Sequence, residues 1–392
     1  MYLKLFYPYI FLSLCQVFGF YFYNGFSFYP KDDTKVVVSL FYFFSILAIV
    51  SFCLFNSNNI RKDTLVVSNK KIENLFLIIT IFFILKPAFI MLSMGVEYGF
   101  DYVRQNFFTS DLIRSIAFGN MTIAVFTQFY IVPILWFYVI YLTDSKERYS
   151  KFTFYFILFS LVIFNLSYAG RFYIYFAIIV LYLKNVIERK SIMSFFKKNS
   201  YIIGFFFIIS TFVVALRNNR DGLANESNDL LKLVEYHLLQ PYFFAQKIDS
   251  NELIYDGYPF RVILEGFFSP ILYFFGVTFK DLPQGKYSRI FDQPTLFSEY
   301  TNTYYNAFST FFPYIYIDFG GFSVIYTFIL IFIFLSLSRL ISNLNLRFKY
   351  LAYISLILYF SLFQSTLFSY GTLIVIILFP ITNFLYIKLK KD

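Results

Sequence analysis

The stretch LFLIITIFFILKPAFIMLSM, residues 75–94, decides the fold class of this chain. It carries a single charge, Lys86, and its length as a helix matches the ~30 Å hydrocarbon thickness of a bilayer. Nine further apolar runs occur along the chain, at residues 5–28, 36–55, 121–142, 152–166, 172–183, 201–216, 319–337, 351–368 and 373–387. The sequence therefore predicts an all-α, polytopic integral membrane protein with about ten transmembrane helices.

The composition of the 392 residues supports the same class. Hydrophobic residues make up 59% of the chain and charged residues 14%, whereas soluble globular proteins have about 25% charged residues. Both cysteines, Cys15 and Cys53, lie inside apolar runs, and the chain has no Walker loop, GxGxxG motif or zinc-ligand spacing. We therefore expect one membrane domain, residues 1–392, that uses neither a metal nor a soluble cofactor.

Basic residues mark every second connection between the predicted spans. These connections and the two termini contain 19 of the 33 Lys and Arg residues but only six of the 23 Asp and Glu residues. By the positive-inside rule they face the cytoplasm, which predicts a bacterial cytoplasmic (inner) membrane protein with both termini inside. Because orientation accounts for the basic charge, we expect the lipid bilayer as a partner and no nucleic acid.

One connection, residues 217–318, is much longer than the others and is predicted on the outer side. Within it, residues 229–240 have apolar side chains at helical spacing, with Asn228 as a possible N-cap and Pro241 as the end. This pattern predicts an amphipathic helix that lies on the membrane surface. Residues 262–279 are apolar but interrupted by polar and helix-breaking residues, which predicts an interfacial or re-entrant segment.

Cationic residues approach the outer half of the membrane from several spans. Lys86 lies roughly 12 Å below the outer end of its span, Arg171 ends a short turn between two apolar helices, and Arg217 and Arg220 begin the large loop. Guanidinium groups bind phosphoryl oxygens bidentately and stay charged, so this convergence predicts an outward-facing diphosphate site. The alternative is that Lys86 and the two loop arginines only snorkel to the interface.

Acidic residues of the large loop are the candidates for a general base. Glu265 lies among apolar residues, where burial disfavours the charged carboxylate and makes it a stronger base, and Asp318 and Glu299 are further candidates. An ion pair between Glu265 and Arg261, four residues earlier, is the alternative. His237, the single histidine, is interpreted as a surface residue.

Three segments between residues 167 and 321 match motifs of a known family. SYAGR at 167–171 is a small-residue-Gly-Arg turn, and LRNNR at 216–220 is an arginine cluster at the start of a long loop. NTYYNAF at 302–308, followed by YIDFGG at 316–321, is the most specific of the three. These segments resemble the O-antigen or capsule polymerases (Wzy), also called oligosaccharide repeat unit polymerases. The chain departs from some members in that no outer arginine is followed by glycine eleven positions later.

The resemblance implies glycosyl transfer on the outer face of the membrane, with the growing glycan passed from one undecaprenyl diphosphate onto a lipid-linked single repeat. The partners it implies are the undecaprenyl-diphosphate-linked glycan donor and acceptor and a chain-length regulator. Together with the charge pattern, it predicts the catalytic residues Arg171, Arg217 and Glu265. The predicted substrate-binding residues are Arg220, Lys86 and Asp318.

Two other functions use the same lipid-linked glycan. An O-antigen ligase would be expected to need an outer-loop histidine, for which His237 is the candidate. A flippase or transporter would be expected to consist of two similar halves, and the sequence has no internal repeat.

Overall fold

The computed structural model describes residues 2–56, 69–109, 111–218, 226–255, 259–274, 295–305, 310–364 and 366–389. After a short turn, Tyr2–Leu5, the described helices are α1 (Tyr7–Phe22), α2 (Asp32–Phe55), α3 (Lys70–Tyr98), α4 (Phe100–Thr109), α5 (Asp111–Phe118), α6 (Met121–Tyr141), α7 (Arg148–Ser167), α8 (Phe172–Ile187), α9 (Ile192–Asn218), α10 (Glu226–Asp249), α11 (Arg261–Phe274), α12 (Phe312–Phe319), α13 (Ser323–Ser336), α14 (Leu344–Ser361) and α15 (Tyr370–Leu389). The strands β1 (Leu296–Ser298) and β2 (Thr303–Tyr305) pair antiparallel between α11 and α12.

The helical, apolar architecture predicted from the sequence is confirmed. Among the described residues, five helices are long and apolar enough to cross a membrane: α2, α3, α6, α7 and the segment Phe312–Leu340 that contains α12 and α13. Shorter apolar helices lie at Tyr7–Phe22, Phe172–Ile187 and Tyr370–Tyr386. The only strands in the described residues are the short pair β1 and β2, which the all-α prediction did not include.

The first predicted span, residues 5–28, extends beyond the C-terminal end of the helix that the structure shows. Helix α1 stops at Phe22, and the chain continues extended to pair with β1. The amide of Ser27 donates to the carbonyl of Phe297 at 3.0 Å, and the amide of Glu299 donates to the carbonyl of Gly25 at 2.8 Å. Apolar composition alone did not separate this extended segment from the helix before it.

Two π-helical turns lie inside apolar helices, each just before a proline. Ile81–Leu85 precedes the pair Lys86 and Pro87 in α3, and Thr127–Ile131 precedes Val132 and Pro133 in α6. A proline ring clashes with the carbonyl four residues earlier, and the wider π-turn relieves that clash without breaking the helix.

The described contacts divide the chain into two compact units, and the sequence offered no sign of this division. The first unit contains Met1–Arg61, Asn225–Ser342 and Ile357–Asp392. In it α2 packs on α13, α10 packs across α1 and α2, and α11 packs against α12 and α15. The second unit contains Lys62–Ala224 and Asn343–Leu356, where α7 packs between α3 and α8 and α8 packs on α9.

Helix α10 continues past Pro241, where the sequence predicted that it ends. It runs from Glu226 to Asp249 and packs inside the first unit. Its residues Leu239, Tyr242, Phe243, Phe244 and Ala245 are all buried hydrophobic residues. The helix packs against α1 and α2, and whether its remaining apolar residues lie on a membrane surface stays a prediction.

The continuation of α10 through Pro241 has a specific cause. Proline cannot donate to the carbonyl four residues earlier, which leaves the carbonyl of His237 without its helical partner. The side chain of Gln16, fully buried in α1, donates from Nε2 to that carbonyl at 3.0 Å. A residue 221 positions away thus replaces the missing helical hydrogen bond.

Candidate functional site

The turn between α7 and α8 is built by one asparagine in the second unit. The carbonyl of Asn165 accepts from the amide of Gly170 at 2.8 Å, and its side-chain oxygen accepts from the amide of Tyr173 at 3.1 Å. Its Nδ2 donates to the hydroxyl of Tyr168 at 2.6 Å. Ala169 adopts a left-handed φ of 55°. The turn is therefore held by bonds among neighbouring residues.

Glycine is required at position 170 of this turn. A Cβ there would lie 2.3 Å from Nδ2 of Asn165 and 2.8 Å from its backbone oxygen. The backbone contact cannot be relieved by a side-chain rotation, so any larger residue displaces the turn. The small-residue-Gly-Arg pattern in the sequence thus has a steric origin.

Arg171 is partly exposed at the N-cap position of α8, directly after this turn. A second arginine, Arg104 of α4, donates from Nη1 to the carbonyl of Ala169 at 3.0 Å. Phe107, one helical turn beyond Arg104, stacks on Tyr168 with ring centroids 4.2 Å apart and planes at 3°. The structure therefore brings Arg104 to the same turn that carries Arg171.

The pKa of the Tyr168 phenol is shifted by its surroundings at this turn. Burial raises its pKa to about 12, although the hydrogen bond from Asn165 and the positive charge of Arg104 act in the opposite direction. The phenol is therefore neutral at physiological pH. Arg104 and Arg171 are both partly exposed at the turn, and such cationic hydrogen-bond donors are the chemistry of an anion site.

The sequence did not reveal Arg104, because residues 95–120 resemble an ordinary polar connection. The signal that was present is the spacing of Arg104 and Phe107, which places a cation and an aromatic ring on one face of a short helix.

Lys86 has an exposed side chain on α3. The buried stripe of this helix contains Ile84, Ala88, Met91 and Gly95 at helical spacing, and Lys86 lies off this stripe. This placement agrees both with an outward-facing cavity and with the alternative in which the side chain snorkels, so the substrate-binding role of Lys86 stays a prediction.

The two loop arginines lie at the limit of the described chain. Arg217 is in the last turn of α9, and its side chain is outside the described part. Arg220 lies outside the described residues. Their convergence with Arg171 stays a prediction.

Asp318 has a structural partner in the first unit. Its two carboxylate oxygens accept from the amides of Val262 and Ile263, each at 2.9 Å, and its side chain is fully buried. These amides are in the first turn of α11, whose preceding residue, Phe260, has a φ of 67°. Asp318 therefore caps α11 from α12, which differs from its predicted role in substrate binding.

Glu265 lies one turn further along the helix that Asp318 caps. It is 4% exposed, as its apolar neighbours in the sequence predicted. The cap fixes the start of α11 and with it the position of Glu265. Its role as a base stays a prediction.

The most elaborate polar cluster in the first unit was missed by the sequence analysis. Glu235 of α10 is fully buried, and its carboxylate accepts hydrogen bonds from four hydroxyl groups. The donors are Tyr23 (a short contact), Ser298 at 2.5 Å, Thr301 at 2.7 Å and Tyr305 at 2.7 Å. We call these five residues the Glu235 cluster. It joins α10, the end of α1 and the β1–β2 hairpin.

Two further candidate residues of this unit have different surroundings. The ring of His237 packs edge-on against Phe363 with centroids 5.1 Å apart, and Glu299 is exposed on the hairpin. Among the described residues, no group of three or more His, Cys, Asp and Glu residues is arranged to hold a metal ion.

A comparison of the chain with protein-family models, with curated proteins and with solved structures found no match. Its function therefore has to be inferred from its own residues.

Proposed function

We propose that this chain is a polymerase of lipid-linked oligosaccharide repeat units in the bacterial cytoplasmic membrane. It has ten spans, cytoplasmic termini and a large outer loop at residues 217–318. The observation that carries the proposal is the rigid turn at 167–171, which holds Arg171 with Arg104 bonded to the same turn. The charge asymmetry of the connections supports the placement of this turn on the outer side.

The turn suits a diphosphate leaving group. In the reaction, a hydroxyl of the acceptor repeat attacks the anomeric carbon of the donor glycan, and the bond from that carbon to the diphosphate oxygen breaks. The diphosphate leaves with the electron pair, so negative charge grows on its oxygens. Fixed guanidinium groups stabilise that charge without reorganising. The Ala169 carbonyl holds the guanidinium of Arg104, and Asn165 holds the backbone of the turn that carries Arg171.

The proton of the acceptor hydroxyl needs a base, and Glu265 is the proposed one. It is a buried carboxylate on a helix whose start is capped by Asp318. Arg217 and Arg220, named by the family resemblance, are proposed to bind the same lipid diphosphates.

The glycan pattern of a deletion strain tests the proposed function. Without this protein, a lipopolysaccharide pathway should still ligate single repeats and give core plus one unit with no ladder above it. A capsule pathway should lose high-mass polymer and keep lipid-linked monomer. A normal ladder would contradict the proposal, and loss of even the single-unit band would assign the protein to ligation or flipping.

Complementation with arginine variants tests the residue that carries the proposal. Arg171→Ala should fail to restore the ladder, and Arg171→Lys should recover little, because an ammonium group cannot replace a planar bidentate donor. Arg189→Ala is the matched control, since Arg189 follows the other end of α8, has an exposed side chain and should restore the ladder fully. A full ladder from stably expressed Arg171→Ala would make Arg171 a structural residue.

A further inference from the structure

The β1–β2 hairpin has two chemically different faces. Its inner face carries Leu296, Ser298 and Tyr305, all buried, and two of these donate to Glu235. Its outer face carries Phe297 and Tyr304, which are register partners with ring centroids 4.8 Å apart. The alternation of side chains along paired strands separates the two faces.

The hairpin turn adds a third ring. Tyr300 is 56% exposed and Tyr304 is 66% exposed, whereas Phe297 is half-buried. The ring of Tyr300 rests edge-on against Tyr23, with centroids 5.7 Å apart, and Tyr23 is itself bonded to Glu235. We call Phe297, Tyr300 and Tyr304 the aromatic face of the hairpin. Its two exposed rings, Tyr300 and Tyr304, stand on buried supports.

The supports hold this face in one conformation. Besides the Glu235 cluster, the backbones of Ser27 and Gly25 bond to Phe297 and Glu299 on the strand side. The amide of Thr301 also donates to Ser298 Oγ at 3.2 Å, which closes the turn. A surface that is rigid before it binds loses little conformational entropy on binding.

The chemistry of the aromatic face favours a carbohydrate. Sugar rings have an apolar C–H face that packs on the electron-rich face of an aromatic ring, and hydroxyl groups at the rim that need polar partners. Glu299 and Asn302 are exposed beside the rings and supply a carboxylate and an amide. Residues 295–305 contain no Lys or Arg, so the hairpin itself supplies no cation to a lipid phosphate group.

We propose that the aromatic face of the β1–β2 hairpin, Phe297, Tyr300 and Tyr304, binds the sugar rings of the glycan on which this protein acts. The proposal rests on the proposed function for its substrate class. It adds a glycan subsite made of residues other than those assigned to the diphosphate. The rings contact sugar, and other residues take part in the glycosyl transfer.

The test measures glycan binding directly with the full-length protein. The protein is placed in nanodiscs of phosphatidylethanolamine and phosphatidylglycerol, and the probe is a fluorescently labelled oligosaccharide released from the producing strain's own surface polysaccharide. Fluorescence polarisation should show that Tyr304→Ala weakens binding about tenfold, and that the double variant with Tyr300→Ala weakens it further. Tyr304→Phe keeps the ring and should bind within about threefold of the parent.

Tyr386→Ala is the matched control, because Tyr386 is 66% exposed on α15, the same exposure as Tyr304. It should bind as the parent does. Unchanged affinity in the Tyr300 and Tyr304 double variant would overturn the proposal, as would an equal loss in Tyr386→Ala.

A label beside the hairpin distinguishes glycan from lipid as the occupant. A variant with Ser27→Cys, in a background without Cys15 and Cys53, carries an environment-sensitive fluorophore there, because Ser27 is exposed and its backbone pairs with Phe297. The emission should report water in nanodiscs without glycan and shift when glycan is added. Emission already typical of an apolar environment, with no response to glycan, would assign the face to the membrane interface and overturn the proposal. A normal ladder from the deletion strain would contradict the polymerase function alone, since glycan binding is measured independently.

Discussion

The turn at residues 167–171 and helix α10 both contain an irregular backbone, but they satisfy its hydrogen bonds in opposite ways. In the turn, Asn165 bonds to residues three, five and eight positions later. In α10, the carbonyl freed by Pro241 accepts from Gln16, 221 positions from His237. Local bonds leave a recognisable pattern in the sequence, whereas distant bonds leave none.

This difference decides which substitutions each region tolerates. The turn depends on the small size of one glycine and on its asparagine, so damage there stays local. Helix α10 depends on partners in α1 and in the hairpin, so damage there separates elements that are far apart in the sequence. Four substitutions test this contrast, in order of decreasing expected effect.

Glu235→Ala should be the most damaging. It removes the acceptor of four hydroxyl groups, and buried donors left unsatisfied cost about 1–3 kcal/mol each, so the expected loss is about 4 kcal/mol after partial relaxation. Thermal unfolding of the detergent-purified protein measures it. Glu235→Gln keeps one acceptor oxygen and should lose less. Equal midpoints for Glu235→Ala and the parent would show that the cluster does not hold the hairpin to α10.

Gly170→Ala should cost about 2 kcal/mol, the usual size of an overpacking defect. The added Cβ meets the backbone oxygen of Asn165, which cannot move without opening the turn. The same unfolding assay measures the loss, and polymer formation should fall with it. Gly204→Ala is the control, because a Cβ there meets nothing within 4 Å. Similar results for the two glycine variants would refute the steric account of the turn.

Gln16→Leu should cost about 1.5 kcal/mol by leaving the His237 carbonyl without its donor. The sharper measurement is a double-mutant cycle with Pro241→Ala. Alanine restores the amide that a regular helix directs to His237, so Gln16→Leu should cost much less in that background. Additive effects in the cycle would mean that Gln16 does not compensate for the proline.

Lys86→Met should have the smallest effect, below about 0.5 kcal/mol, with normal polymer. Lys86 is exposed on α3, off the buried stripe of that helix, and in the snorkelling alternative its charge is not needed for polymer formation. Glycan banding after complementation measures the outcome. Loss of the ladder would place Lys86 back among the functional residues.

The same contrast explains which features of the fold and of the candidate site could be predicted from the sequence. The apolar runs predicted the helices, and the Gly170 and Arg171 pair marked a real turn, because both signals are local. The same approach ended α10 at Pro241 and missed Glu235, because the hydrogen-bond partners of both regions come from α1 and the hairpin, which are far away in the sequence.

Two other differences between the sequence prediction and the structure also arise from contacts between residues that are distant in the sequence. Asp318 was expected to bind substrate, yet it caps α11, whose first turn lies 55 and 56 positions earlier in the chain. Arg104 joins the turn through the carbonyl of Ala169, 65 positions later. Neither distance is encoded in periodicity or local composition.

The central claim is that this protein transfers a glycan from one lipid diphosphate to another lipid-linked repeat, with Arg171 stabilising the departing diphosphate. Reconstitution tests it most directly. The purified protein is placed in liposomes with lipid-linked repeat units extracted from the deletion strain, and both glycan size and free undecaprenyl diphosphate are measured over time. The proposed function predicts that polymer grows and that one lipid diphosphate is released for each bond formed, with neither product from Arg171→Ala and both from Arg189→Ala. Repeat units that stay monomeric with the correctly folded parent protein would contradict it.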